Sequence, residues 1–254
     1  MADSGHELFD RVVGQYARTR PGYPEESLDW LASSAELTPG SRVLDLGAGT
    51  GKLTVALAAR GYEVVAVEPL PGMRAQLERD LPDVPVIAGS AEQIPLAGAS
   101  LRAVVVAQAF HWFEPRAALS EIARVLAPAG SFVLVWNLWD VEDPAQAALD
   151  RIVSPLETGR IRHLTTANHP YGAWPEMLAA DQRFGPAQRA RFAHTVELAA
   201  DEVAERVASM SQVQSAAPTD RDGAIAQARS LVLGMPGERG TFRYTTEVEI
   251  RRRR

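Results

Sequence analysis

Between residues 42 and 137, short apolar runs alternate with stretches of helical periodicity, and this alternation constrains the fold more than any other feature of the chain. The runs cover residues 43–46, 64–67, 84–88, 103–107 and 132–136, each bounded by Gly, Pro or polar residues. They are continuous rather than alternating, which is the pattern of strands covered on both faces. Between them, Leu119, Ile122, Val125 and Leu126 recur at helical spacing, as do Met73, Leu77 and Leu81. Strands and helices in strict alternation imply a parallel sheet with crossover helices.

The flanks are organised differently. Phe9, Val12, Val13 and Tyr16 mark one amphipathic helix and Leu28, Leu31, Ala32 and Ala35 a second, so residues 1–38 read as a helical N-terminal arm over a core at 39–140. Residues 141–188 read as a helical insertion, and 189–254 return to the sheet: 191–198 and 242–250 alternate as antiparallel or edge strands do, with a helical stretch from Asp201 to Met210. One domain with an insertion fits 254 residues better than two. The absence of cysteine excludes disulfides, thiolate metal sites and a cysteine nucleophile. A net charge of −6 argues against a general nucleic-acid surface. No leader-like or membrane-length apolar run is visible, so a soluble, cytoplasmic chain with no membrane partner is expected. The four arginines at 251–254 read as a solvated tail rather than a contact for an anionic partner.

The sharpest chemical signal lies where the first strand ends. Asp45 and Leu46 run into Gly47, Ala48, Gly49, Thr50 and Gly51, a turn poor in Cβ atoms that lets a ligand approach the backbone. Strand ends of this kind form the crevice in which open α/β sheets bind ligands. A dinucleotide fingerprint needs glycine where Lys52 stands, and Asp45 would disfavour a pyrophosphate while suiting an ammonium group. Seventeen residues beyond Gly51, Glu68 is placed to accept from two ribose hydroxyls. The pair favours a nucleoside without a diphosphate.

These residues resemble the class I S-adenosylmethionine-dependent methyltransferases, particularly the small-molecule branch with the trans-aconitate and ubiquinone/menaquinone enzymes. The resemblance implies a Rossmann-like, seven-stranded, mostly parallel α/β sheet with one antiparallel strand and helices on both faces. It implies S-adenosyl-L-methionine as cofactor and S-adenosyl-L-homocysteine as product. Asp45, Gly47, Ala48, Gly49 and Gly51 resemble the motif that cradles the methionine part, and Glu68, followed by Pro69 and Met73, the ribose-binding segment. Ser90, Ala91 and Glu92 resemble the adenine loop, with Ser90 where many relatives carry aspartate. Gln108, Ala109, Phe110, His111 and Trp112 resemble the segment beside the sulfonium, and Tyr16 and Arg20 a site for the methionine carboxylate. Arg102 stands where relatives commonly have a structural acid.

Several roles stay open. Phe110 and Trp112 would either stabilise a sulfonium or line the crevice wall. His111 would act as general base toward a hydroxyl or amine acceptor, or only bind it. Tyr16 and Arg20 would bind a carboxylate or simply pin the arm. The small-molecule acceptor is expected among Trp136, Asn137, Trp139, Arg160, Arg162, His163, His169, Tyr171 and Trp174, where no metal-ligand spacing occurs. A dinucleotide oxidoreductase and a non-catalytic binder of the same cofactor are the competing readings. The oligomeric state is open.

Overall fold

A computed structural model describes residues 19–156 and 174–254 of the chain. Seven strands form one sheet in the order β3-β2-β1-β4-β5-β7-β6. They are β1 (Arg42–Leu46), β2 (Glu63–Val67), β3 (Val86–Ile87), β4 (Leu101–Ala107), β5 (Leu126–Trp139), β6 (Gln188–Ala199) and β7 (Arg239–Arg252). The first five pair in parallel. β7 runs the other way. Gly130 on β5 accepts from the Arg253 amide, and Asn137 meets Thr246, so numbering rises along β5 as it falls along β7. The Arg189–Glu249 and Arg191–Glu247 ion pairs show the same for β6 against β7.

The described α-helices are α1 (Glu25–Ser34), α2 (Lys52–Ala59), α3 (Pro71–Asp80), α4 (Pro115–Val125), α5 (Pro144–Val153), α6 (Trp174–Ala180), α7 (Ala200–Ala208), α8 (Ser211–Ser215) and α9 (Pro218–Leu233). The starts follow local chemistry. The α4 N-terminus has Pro115 in its first turn and is capped by Glu114, whose carboxylate accepts from the amides of Arg116 and Ala117 at 3.2 and 2.7 Å. Its buried face is Ala118, Leu119, Ile122, Ala123 and Val125, the stripe the periodicity requires.

The chain divides into two compact units, residues 22–137, 171–192 and 246–254 forming one and residues 1–21, 138–170 and 193–245 the other. The first, the sheet unit, has a core in which Val43, Val64, Ala103, Val105, Val133, Val135, Val248 and Ile250 of the strands meet Leu28, Leu31, Leu53 and Leu57 of α1 and α2. Its parallel register sets Leu46 beside Val67 and Asp45 beside Val105, so the residues following β1, β2 and β4 emerge along one edge. The second, the helical unit, packs Leu149 and Val153 of α5, Val203 and Val207 of α7 and Ala224, Ala228 and Val232 of α9 with Trp139, Phe242 and Tyr244.

Three sequence expectations change here. The third strand shrinks from 84–88 to Val86–Ile87, because Pro85 has no amide to donate and contributes only its carbonyl, to Ala66. The fifth strand extends to Leu126–Trp139, with Leu126 paired to Leu101 and Ser131 already to Ala103, so the residues between bulge outward. The terminal arginines are no solvated tail. Arg251 is buried against Glu249, Arg252 donates to the Ser34 carbonyl at 2.7 Å, Arg253 to that of Leu126, and the Arg254 amide to that of Arg183.

Candidate active site

The candidate site belongs to the sheet unit, at the edge where β1, β2 and β4 end. Gly47, Gly49 and Gly51 all have positive φ, and the amides of Gly47 and Ala48 both reach the Val67 carbonyl, at 2.8 and 3.2 Å. Gly47 and Gly49 are required for opposite reasons. A Cβ on Gly47 would stand 2.8 Å from that of Ala109, whereas a Cβ on Gly49 would meet nothing within 4 Å. One glycine permits packing against the segment after β4; the other leaves open space over the backbone.

Glu68 fastens this turn. One carboxylate oxygen accepts from the Gly49 amide and the other from the Leu70 amide, each at 2.9 Å. A carboxylate offers about four acceptor positions, and these two amide bonds use one on each oxygen. Arg74 of α3 adds a clamp by donating to the carbonyls of Glu68 and Pro69 at 2.9 and 2.6 Å.

Asp45 is 1 % exposed. Its Oδ2 accepts from the Thr54 hydroxyl at 2.6 Å, while Oδ1 is buried with no hydrogen-bond partner. Burial first, and the neighbouring Glu68 carboxylate second, raise its pKa to about 7. The arrangement is thus short of a donor and of positive charge. An ammonium group would supply both, so the residues present fit the methionine end of the expected cofactor.

The adenine-loop candidates are held by α4. Ser90 bridges Gln93, Ala91 is buried, the Ile94 amide donates to Glu121, and Arg124 donates to the carbonyls of Ile94 and Leu96. Glu92 accepts from the Glu114 amide at 2.8 Å, a fixing contact the spacing did not suggest. After β4, Gln108 takes a positive φ of 59° and its amide pairs with the Val135 carbonyl. Phe110 is fully buried, its ring beside Phe113 and Phe132, and Met73 is buried within α3. Trp112 is 49 % exposed, with His111 between it and Trp136 at centroid distances of 4.9 and 5.7 Å.

Other expected residues lie elsewhere. Asn137 spans the Gly22 carbonyl and the Thr246 hydroxyl, at 3.0 and 2.6 Å, tying the stretch before α1 to β7. Arg20 and Trp139 belong to the helical unit. Tyr16, Arg160, Arg162, His163, His169, Tyr171 and the Trp174 side chain fall outside the described residues. Sequence reasoning missed Thr54 and Arg74. The signal for Thr54 was present, since it shares the inward face of α2 with Leu53 and Leu57. Arg102 pairs with Glu36 at 2.6 Å and donates to the Ala129 carbonyl, so the reversed charge keeps a structural role.

Comparison with known proteins agrees with this geometry. Residues 44–134 match a family model described as a methyltransferase domain. An uncharacterized methyltransferase of Mycobacterium tuberculosis is 52 % identical over 132 residues, covering 52 % of this chain and 53 % of that protein. A demethylmenaquinone methyltransferase of Beutenbergia cavernae is 41 % identical over 133 residues, covering 50 % and 55 %. The chain spans about half the length of the curated relatives it matches. In solved structures, the fold resembles the YcgJ protein of Bacillus subtilis, with TM-score 0.57, 21 % identity and coverage of 91 % and 99 %. It also resembles a Haemonchus contortus phosphoethanolamine N-methyltransferase solved with S-adenosyl-L-methionine, with TM-score 0.58, 15 % identity and coverage of 98 % and 60 %. The matched stretch contains Asp45, the glycine turn, Glu68 and the His111 segment together. No helix of the described residues is long and apolar enough to cross a membrane.

Proposed function

We propose that the protein is an S-adenosyl-L-methionine-dependent methyltransferase acting on a small organic acceptor by in-line displacement. The observation that carries the reading is the buried, donor-seeking Oδ1 of Asp45 beside a glycine turn fastened by Glu68. When bound, the cofactor supplies a methyl group already activated on a positively charged sulfur. Asp45 would hold its ammonium, Glu68 its ribose hydroxyls and the 90–92 loop its adenine. The match of 44–134 to the methyltransferase model supports this assignment.

The chain's own part is then mainly positioning. Holding donor and acceptor collinear supplies on the order of 7–11 kcal/mol in favourable systems. His111, set between two tryptophans, takes the proton from a hydroxyl or amine acceptor. Calorimetric titration with S-adenosylmethionine, S-adenosylhomocysteine and NAD tests the cofactor assignment: micromolar binding of the two sulfur nucleosides and none of NAD is expected, and binding of NAD alone would overturn it. For His111→Ala, turnover should fall by roughly 10²-fold with S-adenosylhomocysteine affinity unchanged. Full activity across neutral pH would leave His111 without a role as base.

A further inference from the structure

Among the described residues, the helical unit buries a cation that no carboxylate is seen to pair with. On α7, Val203, Arg206 and Val207 recur at the spacing of an inward face, and Arg206 occupies a position that periodicity assigns to an apolar residue. It is 1 % exposed. Its guanidinium carbon lies 4.9 Å from the Tyr244 ring centroid and 5.8 Å from that of Trp139, so aromatic faces fix its plane. Rings do not satisfy N–H donors. Arg206 Nε and Nη1 are buried without a hydrogen-bond partner, and so is the Tyr244 hydroxyl.

Nor does charge compensate it. Two carboxylates of α7 are engaged elsewhere: Asp201 pairs with Arg229, and Glu202 caps the helix by accepting from the Ala199 amide. Burial first, and the neighbouring cation Arg20 second, lower the pKa of Arg206 to about 9. Buried charges are ordinarily paired, and an orphaned guanidinium calls for a partner that arrives with a ligand. The donors present are a planar fork and a phenol, with a second cation near them. Trp139, Val203, Val207 and Phe242 make the surroundings apolar. That chemistry suits a planar monoanion on an apolar body better than a doubly charged, strongly hydrated phosphate.

We propose that the helical unit holds a binding site for the carboxylate of a small organic acid, with Arg206 as the bidentate donor and the Tyr244 hydroxyl as second donor. The site is argued from the helical unit alone and stands whether or not the sheet unit transfers a methyl group.

The test uses the full chain and its unfolding temperature at fixed ionic strength. Acetate, isovalerate and phenylacetate are each compared with the corresponding neutral amide. One or more acids should raise the wild-type midpoint by roughly 3 °C or more as concentration increases, and the amides should not. Arg206→Met should abolish that difference while raising the midpoint without ligand, since an uncompensated buried charge is gone. Arg206→Lys, which keeps a cation but loses the fork, should retain less than half of the acid effect. Tyr244→Phe provides a milder variant should Arg206→Met fail to fold, and it should weaken acid binding several-fold. The proposal is overturned if acids and amides act alike on the wild type, or if the acid effect survives in Arg206→Met and Tyr244→Phe. A last arm compares S-adenosylhomocysteine with 5′-methylthioadenosine, which lacks the carboxylate. If Arg206→Met weakens only the former and no free acid binds, the carboxylate belongs to the cofactor and a separate acid site is refuted.

Discussion

Among the described residues, each of the two units buries a charged side chain with a polar atom that finds no hydrogen-bond partner, and the two are opposite in sign. In the sheet unit Asp45 keeps one oxygen without a donor, and in the helical unit Arg206 keeps two donor nitrogens without an acceptor. Their environments differ. Asp45 has a hydroxyl partner in Thr54 and sits beside a second carboxylate, whereas Arg206 has only ring faces and a second cation. Packing alone would select against both, because an apolar residue of similar volume is usually as stable or more so in such positions. The difference in sign indicates what each unit is built to receive: a cationic group in one and an anionic group in the other.

The largest effect that would break this comparison is expected at Glu68. Replacing it with alanine removes the acceptors of the Gly49 and Leu70 amides and those assigned to ribose. Hydrogen bonds to a charged group contribute about 1.5–3 kcal/mol each, so two of them predict at least a hundredfold loss in S-adenosylhomocysteine affinity by calorimetry. Unchanged affinity would mean that the turn holds its shape without Glu68, and that the acid is not part of the binding site.

Asp45 gives the next effect, visible in pH. Its pKa is about 7 when folded against an ordinary value near 4, so between those limits the folded protein holds a proton that the unfolded chain has released. Stability therefore falls as pH rises from about 4 to 7 and levels off above. Asp45→Asn cannot titrate, and its stability relative to wild type should grow by on the order of 3 kcal/mol over that interval. Urea unfolding at pH 4.5, 6 and 8 measures the difference. A cationic ligand should reverse the shift, so S-adenosylmethionine binding at pH 6.5 should release protons and its heat should vary with the buffer's ionisation enthalpy.

The contrast also explains what could be read from the chain. Asp45, the glycine turn and Glu68 were legible because their chemistry is local: five residues form the turn directly after Asp45 and Leu46, and strand register alone brings Glu68 to it. The parallel sheet was legible for the same reason. Arg206 was not, since Trp139 and Tyr244 come from β5 and β7, and helical periodicity gives a face but not what faces it. The terminal arginines misled because their acceptors are carbonyls of remote segments, at Ser34, Leu126 and Gly185, which leave no trace in composition. At the third strand a single proline shortened what an apolar run had suggested.

A smaller effect sharpens the account of Asp45 itself. Thr54→Val keeps the volume on the inner face of α2 but removes the hydroxyl that donates to Oδ2 at 2.6 Å. With both oxygens then unsatisfied, the carboxyl should titrate at still higher pH, and the protein should lose about 2 kcal/mol at pH 8. At pH 5, where the folded state holds Asp45 protonated, the loss should be smaller. An equal loss at both pH values would attribute it to packing rather than to the charge.

The smallest effect is expected where a charge is exposed and well paired. Glu36 receives Arg102 at 2.6 Å and Arg252 at 2.9 Å, yet its side chain is 70 % exposed, so solvent already screens what the two guanidinium groups supply. Both arginines also donate to carbonyls, Arg102 to Ala129 and Arg252 to Ser34, and these bonds survive without the acid. Glu36→Ala should therefore change stability by less than about 1 kcal/mol, and the change should shrink further at 0.5 M salt. If it instead matched the Asp45→Asn or Thr54→Val effects, the number of partners rather than burial would govern what a charge contributes here. Ligand sites at both Asp45 and Arg206 would then lose their physical basis, because unpaired charge would no longer be costly only where water is excluded.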